Sequence, residues 1–119
     1  MNLYELTNCI QEIPALIATT LLNSVRESSK IIILGNGGSN AIASHIAVDY
    51  RKFLNKKVDV LSDSSMITML VNDYGAENAY SKFIEMNQER GMLAILISSS
   101  GNSKNIFNAL SLADLVNGA

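Results

Sequence analysis

Apolar residues recur at spacings of three and four through the first 28 positions, where Ile10, Ile13, Ile17, Leu21 and Val25 share one helical stripe. Pro14 interrupts the stripe. Proline is comfortable only in the first turn of a helix, so the pattern predicts a short helix to about residue 12 and a second from about residue 14. Ser28-Ser29-Lys30 ends it. "IIIL" (31–34) is a continuous branched run, as expected of a strand buried on both faces. "GNGGS" (35–39) reads as a loop, and 40–54 as a helix with Ile42, Ile46 and Tyr50 in register. "VDVL" (58–61) predicts a second strand, "SDSS" (62–65) a turn capping a helix from Met66, and "NDYG" (72–75) a break. An amphipathic helix over 77–89 aligns Tyr80, Phe83, Ile84 and Asn87. "MLAILI" (92–97) predicts a third buried strand, "SSSGNS" (98–103) its loop, and 104 to about 116 a last helix.

Strand, loop and helix in repetition mean parallel βαβ units, hence an α/β fold with a parallel sheet flanked by helices. Residues 1–28 stand apart as an N-terminal helical arm, and 29–119 form the α/β part with three strands. The arm has two possible places: across a subunit interface, or over one face of its own sheet. A parallel sheet of three strands leaves an apolar edge. The expectation is therefore the front part of a larger domain, or an edge covered by a partner chain.

Composition narrows the classes. With 119 residues and 48% apolar residues, the chain suits one soluble globular domain. Nine basic and 11 acidic residues give a net charge of −2 and no basic stripe, so nucleic acid is not an expected partner. Arg51-Lys52 and Lys56-Lys57 read as a solvated helix end. No apolar run reaches the roughly 18 residues of a membrane span, and the N-terminus lacks signal-peptide character. The single cysteine, Cys9, fits a reducing cytoplasm and reads as a small buried hydrophobe.

Two Gly/Ser/Asn loops follow strands 31–34 and 92–97, and each opens a helix. Ligands of parallel sheets bind beyond the carboxyl ends of the strands. Unpaired N–H groups at a helix start attract anions, glycine permits close backbone approach, and serine hydroxyls donate. Ser98, Ser99, Ser100 and Ser103 around Gly101 thus make a phosphate cradle without Lys or Arg. Neither G-x-G-x-x-G nor G-x-x-x-x-G-K-[ST] is present, which disfavours dinucleotide and NTP sites. The only histidine, His45, lies four residues before Asp49 on the helix opened by the first loop. Such a pair can hold a metal or act as an acid/base couple, or it can be a surface ion pair. Asp73 lies in the "NDYG" turn.

Taken together, "GNGGS…SH…D", "NDYG" and "ISSSGNS" resemble the SIS (sugar isomerase) domain of the phosphoheptose isomerase type, over essentially the whole chain. The resemblance implies a flavodoxin-like SIS fold, usually homotetrameric, acting on a phosphorylated sugar such as sedoheptulose 7-phosphate in bacterial surface-sugar biosynthesis. It implies that Ser98, Ser99, Ser100 and Ser103 hold the phosphate, that Asn36, Gly37 and Ser39 belong to the substrate site, and that Asp73 matches the family's motif aspartate. Many members bind zinc through a His and a Glu four residues on, plus a Gln and a second His near the C-terminus. His45 falls on the first of these positions and Asp49, one methylene shorter, on the second. The Gln- and His-bearing helix has no counterpart in these 119 residues. The implied function is an aldose–ketose isomerase with Asp49, His45 and Asp73 as catalytic residues and His45 and Asp49 as metal ligands. The alternative is a non-catalytic SIS module that binds a phosphosugar or a protein, or an inactive fragment of the isomerase.

Overall fold

The computed structural model describes residues 2–117. Two helices, α1 (Leu3–Gln11) and α2 (Ala15–Glu27), precede strand β1 (Lys30–Gly35). Helix α3 (Gly38–Leu54) leads to β2 (Val58–Val60), then α4 (Ser64–Tyr74), a 3-10 turn (Ala76–Asn78) and α5 (Ala79–Met86). Strand β3 (Met92–Ile97) and α6 (Lys104–Asn117) follow. The sheet is parallel, in the order β2-β1-β3, with Ile31 opposite Val58 and Gly35 opposite Ile97.

Alternation along β1 divides the core in two. Ile32 and Leu34 point into a cluster with Leu61, Leu70, Phe83, Ile84 and Ala109, from the layer of α4, α5 and α6. Ile31 and Ile33 point the other way, onto Ala43 and Ala47 of α3 and Val25 of α2. All four β1 residues are 0% exposed. At about 25 cal/mol per Å² of apolar area, a strand buried on both faces contributes more stability per residue than any one-sided element.

Several sequence expectations shift. Helix α3 starts at Gly38 rather than Asn40, because Gly37, with φ 54°, turns the chain directly into the helix. Helix α4 starts at Ser64 rather than Met66, because the Asp63 carboxylate is the cap and accepts from the Met66 N–H at 3.0 Å. The "NDYG" break falls later than expected, since α4 continues through Tyr74 and stops at Gly75. The helix expected over 77–89 opens as a 3-10 turn and closes at Met86, where the Asn87 side chain donates to the Phe83 carbonyl at 2.9 Å. Strand β2 is one residue shorter than "VDVL". Strand β3 is half-buried rather than buried, because only its β1 side is paired.

The arm divides near Pro14 as the pattern predicts. It does not cover its own sheet. Val25 enters the core, whereas Leu3, Leu6, Leu16, Ile17, Leu21 and Leu22 are exposed. Cys9 is exposed as well, correcting the expectation of a buried thiol: α1 has no layer of its own chain beneath it. Where the arm meets the domain it is fixed by Lys56, whose Nζ donates to the carbonyls of Arg26 and Ser28 at 2.7 and 2.6 Å. A cation at a helix carboxyl end is favourable.

Candidate functional site

The register places the ends of β1 and β3 side by side, so the two glycine-bearing loops leave the sheet as neighbours. The first loop is compact. Ser39 N–H donates to the Asn36 carbonyl, and Asn40 and Ala41 N–H donate to Gly37, at 3.0, 3.0 and 3.2 Å. A Cβ on Gly35 would meet Ser39 Cβ at 2.7 Å and its carbonyl carbon at 2.8 Å. Gly35 is therefore obligatory, because the backbone of Ser39 occupies the space a side chain would take. At Gly38 a Cβ would meet nothing within 4 Å.

Side chains from the second half of the chain hold this loop. The Tyr80 hydroxyl donates to the Gly35 carbonyl at 2.5 Å. Burial pushes the Tyr80 phenol above its ordinary value of 10.0. The amides of Asn36 and Asn105 pair reciprocally, Asn36 Nδ2 to Asn105 Oδ1 at 3.0 Å and Asn105 Nδ2 to Asn36 Oδ1 at 2.8 Å. Asn40 Nδ2 reaches Ser62 Oγ at 3.4 Å. Neither Tyr80 nor Asn105 carries a local sequence signal for this role.

The second loop is shaped by its own serines. Ser98 Oγ accepts from Gly101 N–H at 3.0 Å and Ser100 Oγ from Asn102 N–H at 3.1 Å. Both hydroxyls act as acceptors within the loop, which leaves their O–H groups as donors. Gly101 has φ 70°, the left-handed region that glycine enters without strain. Ser103 precedes α6, and its carbonyl accepts from Phe107 N–H at 2.9 Å. Ser99 and Ser100 are exposed, Ser98 and Ser103 half-buried. Asn36 and Gly37 are exposed and Ser39 half-buried, on the adjoining loop. The structure thus brings the two expected binding loops together.

It does not bring the three expected catalytic residues together. His45 Nε2 lies 3.4 Å from Asp49 Oδ2, with the side chains 80% and 46% exposed. These two residues follow Ala43 and Ala47 by two positions, so they lie about 200° round the helix from its core-facing side. Ile42, Val48 and Phe53 on the same helix are also exposed. Asp73 is exposed near the end of α4, where its carboxylate accepts from Asn72 Nδ2 at 2.9 Å. Among the described residues no third His, Cys, Asp or Glu joins His45 and Asp49. Zinc takes three or four protein ligands, so these residues alone do not fit a zinc centre.

At the opposite, amino edge of the sheet lies an open cavity of about 550 Å³ lined by Lys30, Arg51, Lys56, Lys57, Asp59 and Glu89. Lys30 and Arg51 pair with Asp59 at 3.1 and 3.4 Å, and Arg51 also donates to the Val58 carbonyl. Lys30 thus ties β1 to β2 and Arg51 ties α3 to β2, while Arg51 and Lys52 lie in the exposed last turn of α3, as expected from sequence. Among the described residues no helix is long and apolar enough to cross a membrane.

Comparison with known proteins agrees with the fold. No family model matches the chain. The chain is 38% identical over 102 residues to a phosphoheptose isomerase of Fusobacterium nucleatum, covering 82% of this chain and 53% of that protein. It is 35% identical over 114 residues to the enzyme so named from Aneurinibacillus thermoaerophilus, covering 91% and 56%. The solved phosphoheptose isomerase of Neisseria gonorrhoeae superposes with a TM-score of 0.82 at 28% identity, over 92% of this chain and 61% of that one. The chain therefore spans a little over half the length of its relatives.

Two outcomes follow from the loop geometry. Gly35→Ala destabilises the protein by more than about 2 kcal/mol, whereas Gly38→Ala stays within about 1 kcal/mol, read by urea denaturation. Equal effects would mean that the loop is not packed as described. Tyr80→Phe costs about 1–2 kcal/mol at pH 8. The folded-state phenol lies above its unfolded value, so its contribution is present below about pH 10 and lost as pH rises through the folded value. Wild type should lose more stability between pH 8 and pH 11 than Tyr80→Phe does, and an identical loss in both would refute the assignment.

Proposed function

We propose that this chain, a homologue of the phosphoheptose isomerases over most of its length, grips a phosphorylated sugar at the carboxyl edge of β1 and β3. In the complete protein it would serve an aldose–ketose isomerisation of bacterial heptose biosynthesis. The carrying observation is the juxtaposition of the two loops at the Gly35–Ile97 register position. Serine hydroxyls and helix-start N–H groups suit a phosphate dianion without a cation. Asn36 and Ser39, one loop away, suit sugar hydroxyls.

The proposed reaction moves one proton between adjacent carbons and one between their oxygens. A base removes the proton from the hydroxyl-bearing carbon beside the carbonyl as the carbonyl oxygen takes up a proton, giving a cis-enediol; the other enediol oxygen then gives up its proton as a proton returns to the former carbonyl carbon. We assign the base to Asp49, polarisation of the oxygens to His45, and proton relay to Asp73. His45 and Asp49 are paired on α3 while Asp73 sits on α4, so the assignment requires further residues around α3, from additional sequence or from a second copy. The zinc expectation extends only to His45 and Asp49 as two ligands of a centre completed elsewhere. The relatives' greater length and the outward-facing pair equally support a second reading, a phosphosugar-binding module without turnover.

We further propose that the exposed arm assembles copies of the chain, a homotetramer being the form the family resemblance favours, and that it works in the cytoplasm. The support is the apolar stripe of Leu16, Ile17 and Leu21 lying in solvent.

The first measurement is isomerisation of sedoheptulose 7-phosphate by the 119-residue chain, with and without zinc, beside binding of the same sugar. Turnover abolished by Asp49→Ala supports the isomerase. Binding without turnover, weakened at least about tenfold by Ser98→Ala with Ser100→Ala, supports the binding module. No binding at all overturns both readings. For assembly, light scattering should give a multimer that Leu16→Asp with Leu21→Asp dissociates, and a monomeric wild type would remove the proposed role of the arm.

A further inference from the structure

Asn105 matches none of the substrate positions implied by the resemblance, yet its amide makes three hydrogen bonds at the mouth of the two loops. Its Oδ1 accepts from its neighbour Ile106 N–H at 2.9 Å and from Asn36 Nδ2 at 3.0 Å. A carbonyl oxygen has two lone pairs, so this acceptor is full. The Ile106 N–H belongs to the first turn of α6 and fixes which end of the Asn105 amide is oxygen. Asn105 Nδ2 must then face Asn36, and it donates to Asn36 Oδ1 at 2.8 Å. The orientation of the exposed Asn36 amide is thereby dictated by a helix 69 residues further along the chain. One N–H and one lone pair of Asn36 remain uncommitted in a fixed direction. That is the complement of a hydroxyl group, which both donates and accepts.

We infer that Asn105 is a positioning residue: it orients the Asn36 amide toward a sugar hydroxyl and couples the hydroxyl-binding loop to the helix that follows the phosphate-binding loop. The inference rests on the phosphosugar reading for the nature of the ligand, but not for the amide pair itself. Holding one amide in the geometry a ligand needs removes the cost of ordering it on binding. The reciprocal pair also transmits position. A phosphate that draws in the serine loop and the start of α6 pulls Asn36 with it, so phosphate and hydroxyl recognition are linked.

The test uses the full 119-residue chain and two readouts. The first is the side-chain amide signal of Asn36 in nitrogen–proton NMR spectra without ligand. Asn105→Ala should move it toward the free-amide position and broaden the backbone signals of 36–39. Asn105→Asp keeps both acceptor contacts but loses the donor, and should give an intermediate shift. The second is affinity for sedoheptulose 7-phosphate. Asn105→Ala and Asn36→Ala should each weaken it about three- to tenfold, and the double variant should be no weaker than Asn36→Ala alone. A purely structural role would lower thermal stability and would persist in the Asn36→Ala background. Additive losses, or an Asn36 signal unmoved by Asn105→Ala, overturn the inference. If wild type binds no sugar phosphate, the phosphosugar reading fails and the NMR readout alone decides whether Asn105 positions Asn36.

Discussion

The double-sided pairing of β1 is the constraint on which the rest of the structure depends. Because β1 lies between β2 and β3, its side chains must be apolar on both faces, and Ile31 to Leu34 supply four such residues in succession. Their alternation sends one pair into the α3 side and the other into the layer of α4, α5 and α6. The same hydrogen-bond ladder sets Gly35 level with Ile97. A slip of one residue would exchange the faces of the core and separate the two loops by a strand residue. The register that buries the isoleucines is therefore the register that assembles the site.

Much of this was legible in the chain because it depends on local pattern. A branched apolar run followed by glycines names a buried strand and its loop, and this occurs at 31–39 and, with serines, at 92–103. Element boundaries were less legible, since Asp63 and Asn87 act through single side-chain contacts that a periodicity cannot resolve. The Asn36–Asn105 pair and the Tyr80–Gly35 bond span 69 and 45 residues and leave no local mark. The outward face of His45 and Asp49 did have a signal. Ala43 and Ala47, four apart and small, mark the side of α3 that packs closely on the sheet, and residues two positions later point away. The arm was ambiguous for a different reason: an apolar stripe tells that a helix is covered but not by which chain.

The two edges of the sheet handle charge in opposite ways. At the amino edge, Lys30 and Arg51 converge on Asp59 while Lys56 satisfies the end of α2. Charges committed in this way are bound up in holding β1, β2, α2 and α3 together. At the carboxyl edge the cradle itself is neutral, and Lys104 beside it already faces Glu77 at 3.4 Å. Neutral dipoles attract an anion over a shorter range than a lysine does, but they are fixed by backbone geometry and need no reorganisation. This arrangement favours geometric selection of a phosphate over long-range capture.

Grip and chemistry are consequently separated within this chain. The loops that would hold a sugar phosphate are anchored to the most buried strand and cross-braced by Tyr80 and Asn105, so most of their ordering cost is met by folding. His45 and Asp73, by contrast, are exposed and Asp49 is half-buried on α3 and α4, where a proton transfer would gain little from a low dielectric. Binding energy accelerates a reaction only when it is stronger in the transition state than in the ground state. A rigid phosphate grip contributes to both equally unless it carries the reacting carbons to a base that is itself held and shielded from water. The exposed apolar residues that flank His45 and Asp49 on α3 form the surface that such shielding would have to cover. On the phosphosugar reading, turnover at this edge would depend on what closes over α3, because the two loops are already ordered by the fold.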